Sequence, residues 1–177
     1  MDKEEEFINS MVSVIKNLSN EALQFDKKDE VYKLYKNTLS QMWNLIGNNG
    51  ILLNPIRYSV KAQEIFERVR PVLETQGINS LSDLKWSKWN SLRKKEGFTC
   101  LNKLLWEHAY TRSDFASNAI KIVKERKNVD FKLSELIKEH QIIWITRKEN
   151  RRLNRKHRSH RPDGWKQAYE ECGIEVI

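Results

Sequence analysis

Between Glu4 and Leu23 the apolar side chains Phe7, Met11, Val14, Ile15 and Leu18 recur at intervals of three and four residues. The same interval returns between Lys28 and Ile46, in Val31, Leu34, Tyr35, Leu39, Met42 and Ile46. That period draws one stripe along an α-helix and scatters its residues over both faces of a strand, so both segments are read as helices. Two amphipathic helices in succession bury their stripes most simply against each other, as a hairpin. The run Gly47-Asn48-Asn49-Gly50 stops the second helix with a strong turn signal. Only six glycines and three prolines occur in 177 residues, so little interrupts helix elsewhere.

A third helical pattern runs from Tyr58 towards Glu74, through Ile65, Phe66, Val69 and Leu73, and Pro71 should kink or end it near Arg70. Ser80 or Ser82 can cap a helix from Asp83 to Glu96, which Gly97 closes. Thr99 to Tyr110 is crowded with apolar residues, and Leu101, Leu104 and Leu105 fall at helical spacing. Ser113 then caps a helix from Asp114 to about Lys127, and Phe131 to His140 forms another. The next six residues, QIIWIT (141–146), are short, β-branched and aromatic, the best strand in the chain. Thr146 and Glu149 make a T-x-x-E capping box, so this strand should pass directly into a helix over Arg147 to Lys156. Asp163 can cap a last helix that runs through Glu171 and ends at Gly173, and the tail IEVI (174–177) is expected as a second strand beside QIIWIT. The expected fold is mainly α: a helical part over 1–97 and a small basic α+β unit over 98–177.

The charge is strongly basic, +8 with a pI near 9.4, which argues for polyanionic partners more than for any fold. It concentrates after residue 146. On a helix, Arg147, Arg151, Arg155 and Arg158 fall at i, i+4, i+8 and i+11 along one edge, with Lys148, Arg152 and Lys156 on a second, and Arg161 follows. Glu149 is the only acid among residues 147–161. A solvated helix face usually mixes signs, and unscreened guanidiniums repel. A phosphate backbone removes that repulsion and releases counterions, and guanidinium forks onto phosphate or guanine. These residues are therefore read as a nucleic-acid-binding face, with DNA expected ahead of RNA. Trp86 and Trp89 lie three apart beside Lys85, Lys88, Arg93, Lys94 and Lys95. They suit a base-stacking groove, although a cluster at helical spacing more often belongs to a core, here one shared with Trp106 and Trp144.

Other classes are excluded or narrowed. Cys100 and Cys172 are too few and too far apart for a disulfide framework and are read as reduced thiols. No apolar run approaches the roughly 20 residues of a membrane span. The acidic start, MDKEEEF, does not resemble a secretory leader, and a cytoplasmic location is expected. The N-terminal helices offer a homodimer interface as readily as a scaffold.

Four histidines carry the question of chemistry. His140 ends a helix, where a cation suits the macrodipole, and His157 and His160 sit within the basic run. His108 follows Glu107 in LLWEHAYTRSDF, ahead of a helix cap. This EH pair, followed later by a strand running into T-x-x-E-x-x-x-L, is similar to the HNH (ββα-metal) nucleases over residues 105–160. The resemblance implies that His108 is the general base, with Glu107 as its carboxylate. It puts Asn150 where the family has a helix histidine, Asn154 one turn on, and His157 or Asp114 as a recruited ligand. The cofactor would be Mg²⁺ or Mn²⁺, which stabilises phosphorane charge while a neutral imidazole takes the proton of the attacking water. Two other readings stand beside it: a non-catalytic nucleic-acid-binding regulator, and an interaction module or inhibitor that binds an acidic protein.

Overall fold

A computed structural model of the chain describes residues 3–48, 53–158 and 160–177. Its elements are α1 (Lys3–Ala22), α2 (Glu30–Asn48), β1 (Arg57–Tyr58), α3 (Val60–Glu67), α4 (Arg70–Glu74) and α5 (Trp86–Leu92), then a 3-10 turn (Thr99–Lys103) and β2 (Leu104–His108). They continue as α6 (Arg112–Glu125), α7 (Val129–Lys138), β3 (Ile142–Thr146), α8 (Arg147–Lys156) and α9 (Gly164–Glu171). The architecture is mainly α with one small sheet, as the sequence predicts. The expected stop at 47–50 lies partly outside the described residues. Among the described residues no helix is long and apolar enough to cross a membrane.

The chain forms two compact units, residues 1–53 with 110–140 and residues 54–109 with 141–177. This differs from a division at residue 97. The helices α6 and α7, inserted between β2 and β3, belong with α1 and α2, while α3 to α5 belong with the sheet.

In the helical unit α1 and α2 bury Ile8, Val12, Ile15, Leu39, Trp43 and Ile46. They meet Phe115, Ala119 and Val123 of α6 and Leu133 and Ile137 of α7, so the expected hairpin is completed into four helices. Of the predicted stripes Ile15, Leu39 and Ile46 are among these buried residues, whereas Val14, Val31 and Leu34 are exposed, because the buried face is turned towards Ile8, Val12 and Trp43. Trp43 stacks on Phe115 at 4.1 Å between ring centroids and donates from Nε1 to the Tyr110 carbonyl at 2.8 Å. His140, expected at a helix end, lies two residues past the last residue of α7. It is buried with its ring edge-on to Trp43 at 4.6 Å. The cap of α6 is Thr111, whose hydroxyl accepts from the Asp114 N–H at 3.1 Å, in place of Ser113.

In the second unit β3 lies between β1, parallel, and β2, antiparallel. All five β3 residues are buried, as befits a central strand covered on both faces. Alternation sends Trp144 to one face, where Trp106 packs at 5.1 Å and Trp89 of α5 at 5.5 Å. Ile143 and Ile145 point to the other, against Leu153 of α8, Ala168 and Tyr169 of α9, and Ile174.

Three sequence expectations are corrected here. Leu104–His108 is a strand rather than part of a helix, since a short apolar run carries no usable period until a partner strand fixes it. The tail does not join β3, whose two edges are already taken. It runs beside β1, where Tyr58 and Ile177 exchange backbone hydrogen bonds at 3.1 and 2.9 Å. The helix expected over 83–96 is only Trp86–Leu92, because Ser80 and Asp83 close a separate turn before it. The break near Arg70 is as predicted, with Pro71 in the first turn of α4.

Candidate nucleic-acid interface

Strand β3 ends at Thr146, whose side chain caps α8 by accepting from the Glu149 N–H at 3.1 Å. Glu149 returns the bond: its Oε2 accepts from the Thr146 N–H at 2.7 Å, closing the predicted capping box. The same oxygen accepts from the Ser59 hydroxyl at 2.8 Å, and Ser59 in turn caps α3 by accepting from the Ala62 N–H at 3.0 Å. Glu149 is 1% exposed. The one acid of the basic run is thus turned inward as a structural carboxylate, and its charge is withdrawn from the helix surface.

Opposite Glu149 and the buried Leu153, α8 presents Arg147, Lys148, Arg151, Asn154 and Arg155 to solvent. Arg147, Arg151 and Arg155 stand on one edge as predicted, whereas Arg158, expected at i+11 of that edge, lies exposed beyond the helix end with a φ of +47°, where helical spacing no longer places it. On the second edge Lys148 is exposed, but Arg152 and Lys156 are engaged. Lys156 pairs with Glu171 of α9 at 2.9 Å, and Arg152 donates to the Gly173 carbonyl at 3.2 Å. Hydrogen bonds from Lys156 and then Gln167 hold the Glu171 carboxyl below the usual carboxylate range. Arg152 and Lys156 thus fasten α8 to α9 and the residues just after it.

Arg161 is a further correction. Its side chain is 2% exposed, and it donates to Glu107 Oε1 at 2.6 Å, to the His108 carbonyl at 3.2 Å and to the Ala109 carbonyl. Its guanidinium also lies over the Tyr169 ring at 5.5 Å. It serves the interior, not a surface. Trp89 is likewise core: buried, with Nε1 donating to the Leu101 carbonyl at 2.9 Å. Trp86 is half-exposed.

A junction that the linear sequence does not display enlarges the basic face. Leu104 pairs with Thr146, so the turn leading into β2 lies beside the start of α8. There Arg147 Nε donates to the Asn102 carbonyl, Asn102 Nδ2 donates to the Arg93 carbonyl at 3.1 Å, and Arg93 donates to Asn102 Oδ1 at 3.3 Å. Asn102 therefore joins the arginine edge of α8 to the cations around α5, where Lys88, Lys94, Lys95 and Lys103 are exposed. The sequence flags these lysines only as neighbours of two tryptophans. Charge divides sharply between the units: 13 Lys/Arg and 13 Asp/Glu in the helical unit, against 19 and 11 in the sheet unit. The whole excess of eight cations lies with the sheet.

The residues implied by the nuclease resemblance are placed differently from one another. Glu107 and His108 are successive strand residues and point to opposite faces. Glu107 lies on the α8 side as the partner of Arg161, whereas His108 follows Trp106 onto the tryptophan side. Asn150, Asn154 and His157 share one row of α8, at i, i+4 and i+7. Two of them are neutral amides, and His157 faces the same Glu171 that pairs with Lys156, at 3.3 Å. Magnesium and manganese favour carboxylate oxygen, and this row supplies none of its own. Among the described residues no three His, Cys, Asp or Glu side chains form a metal-ligand cluster. Comparison with protein-family models, curated proteins and solved structures finds no match.

Proposed function

We propose that this protein binds nucleic acid through the basic face of its sheet unit. Arg147, Lys148, Arg151 and Arg155 of α8 would form the central rail, and the exposed lysines around α5 its extension past Asn102. The observation that carries this reading is the burial of Glu149. It leaves an outward arc without an acid, in the one unit that holds all the net charge. Like charges at i, i+4 are a standing cost to the free helix, and phosphate oxygens relieve it. Binding without cleavage is the form the geometry favours, because His108 and the α8 side chains point away from each other.

The test is a salt titration with a short labelled duplex. Log affinity should fall steeply and linearly with log salt. Replacing Arg151 and Arg155 together by alanine should reduce the slope by roughly two, with the fold intact because both side chains are in solvent. A flat plot, or no binding at about 50 mM salt, would overturn the reading. The same samples incubated with supercoiled plasmid and Mg²⁺, Mn²⁺ or EDTA report cleavage. Metal-dependent nicking lost in His108→Ala would replace simple binding by the nuclease reading.

A further inference from the structure

We infer that α8 enters the major groove of double-stranded DNA, with Arg151 and Asn154 at base edges and the flanking cations on phosphates. The inference rests on the nucleic-acid reading above and adds the form of the polymer and the residues that read it.

Three observations lead to it. The first is the shape of the exposed arc. On an α-helix Arg151 lies midway along the outward side, opposite the midpoint of Glu149 and Leu153. Arg147 and Asn154 lie to one side of it, Lys148 and Arg155 to the other. A helix carrying side chains is about 10–12 Å across, and the major groove is about 12 Å wide, so the residues at the crest meet base edges and those on the flanks meet the backbones. Arginine bidentate to guanine and asparagine bidentate to adenine are the side-chain pairings this groove rewards. Asn154 is the one uncharged side chain on the arc, and it has no use in neutralising phosphate.

The second observation is rigidity. The N-terminus of α8 is closed by the Thr146–Glu149 box and tied through Glu149 to Ser59. Its C-terminal half is fastened to α9 through Arg152 and Lys156. A helix held at both ends presents its side chains in a fixed register, which base readout requires and non-specific charge attraction does not.

The third excludes the competing forms. Single strands are gripped by stacking successive bases on neighbouring aromatic rings. The two half-exposed tryptophans of this unit, Trp86 and Trp165, sit on α5 and α9, which pack on opposite faces of the sheet. They cannot form one platform. Duplex RNA has a major groove too deep and narrow for side chains to read.

The experiment measures the full-length protein, at one fixed salt concentration, against a DNA duplex selected from a randomised pool. Competitors are the RNA duplex of the same sequence, each single DNA strand, and the DNA duplex with 7-deazapurines, which lack the major-groove N7 acceptors. The expected result is a preference of about tenfold or more for the unmodified DNA duplex over each of the others. Asn154→Ala should relax the preference at one A·T pair by about tenfold while leaving the salt slope unchanged. Equal affinity for DNA and RNA duplexes, indifference to 7-deaza substitution, or preference for single strands would each overturn the inference while leaving salt-sensitive binding in place. Loss of all salt-sensitive binding would overturn the underlying reading instead.

Discussion

Arg161 holds a carboxylate and two backbone carbonyls from a position almost closed to solvent. Removing it takes one buried guanidinium away from Glu107 and from both carbonyls. Arg161→Ala should therefore cost about 3–5 kcal/mol, the usual penalty for breaking a buried pair, read as a lower urea midpoint. Arg151→Ala, on the exposed arc, should change the unfolding free energy by no more than about 0.5 kcal/mol. Glu171 gives the pH signature. Lys156 and Gln167 depress its folded pKa, so the stabilisation is fully present above the ordinary value near 4.5 and is lost as pH falls through the lower folded value. Melting temperature should drop on acidification from about pH 5 to pH 3, and Glu171→Gln should show a shallower drop. An equal drop in both proteins would place the acid sensitivity elsewhere.

At the scale of elements, the step from β3 into α8 organises the sheet unit. Thr146→Ala removes one cap bond and should cost about 1 kcal/mol. Glu149→Ala should cost more, because it orphans the buried Thr146 N–H and the Ser59 hydroxyl at roughly 1–3 kcal/mol each and loosens α3 together with α8. Equal effects in thermal denaturation would mean that Ser59 finds another acceptor. The two well-read elements, QIIWIT and the helix after it, carry local signals strong enough to stand alone: β-branched and aromatic residues, then a reciprocal cap. Leu104–His108 has no such signal. Its leucines serve a helix or a strand equally well, and only pairing with β3 decides. The tail is the complementary case, correctly read as extended but given the wrong neighbour, because β1 is two residues long and nothing in Arg57–Tyr58 announces a strand.

At the scale of the whole molecule, the charge asymmetry makes the helical unit a built-in control. Reversing Lys121 and Lys124 of α6 to glutamate changes net charge by four without touching the basic face. It should lower nucleic-acid affinity far less than Arg151→Ala with Arg155→Ala, compared at matched salt by fluorescence anisotropy. A comparable loss would mean that net charge alone governs binding. The sequence by itself determined the helical character, the central strand, its cap and the arginine row, because periodicity, capping and i, i+4 spacing are properties of neighbours along the chain. Tertiary structure alone decided which basic residues face solvent. Arg161 and Arg147 are the same residue type fourteen positions apart, yet one is sealed against Glu107 and the other stands at the surface beside Asn102. The difference lies in Glu107 and Asn102 themselves, which are remote in sequence and reach these arginines only because β2 pairs antiparallel with β3. Burial of a charge depends on a partner being delivered, and delivery is a property of the fold.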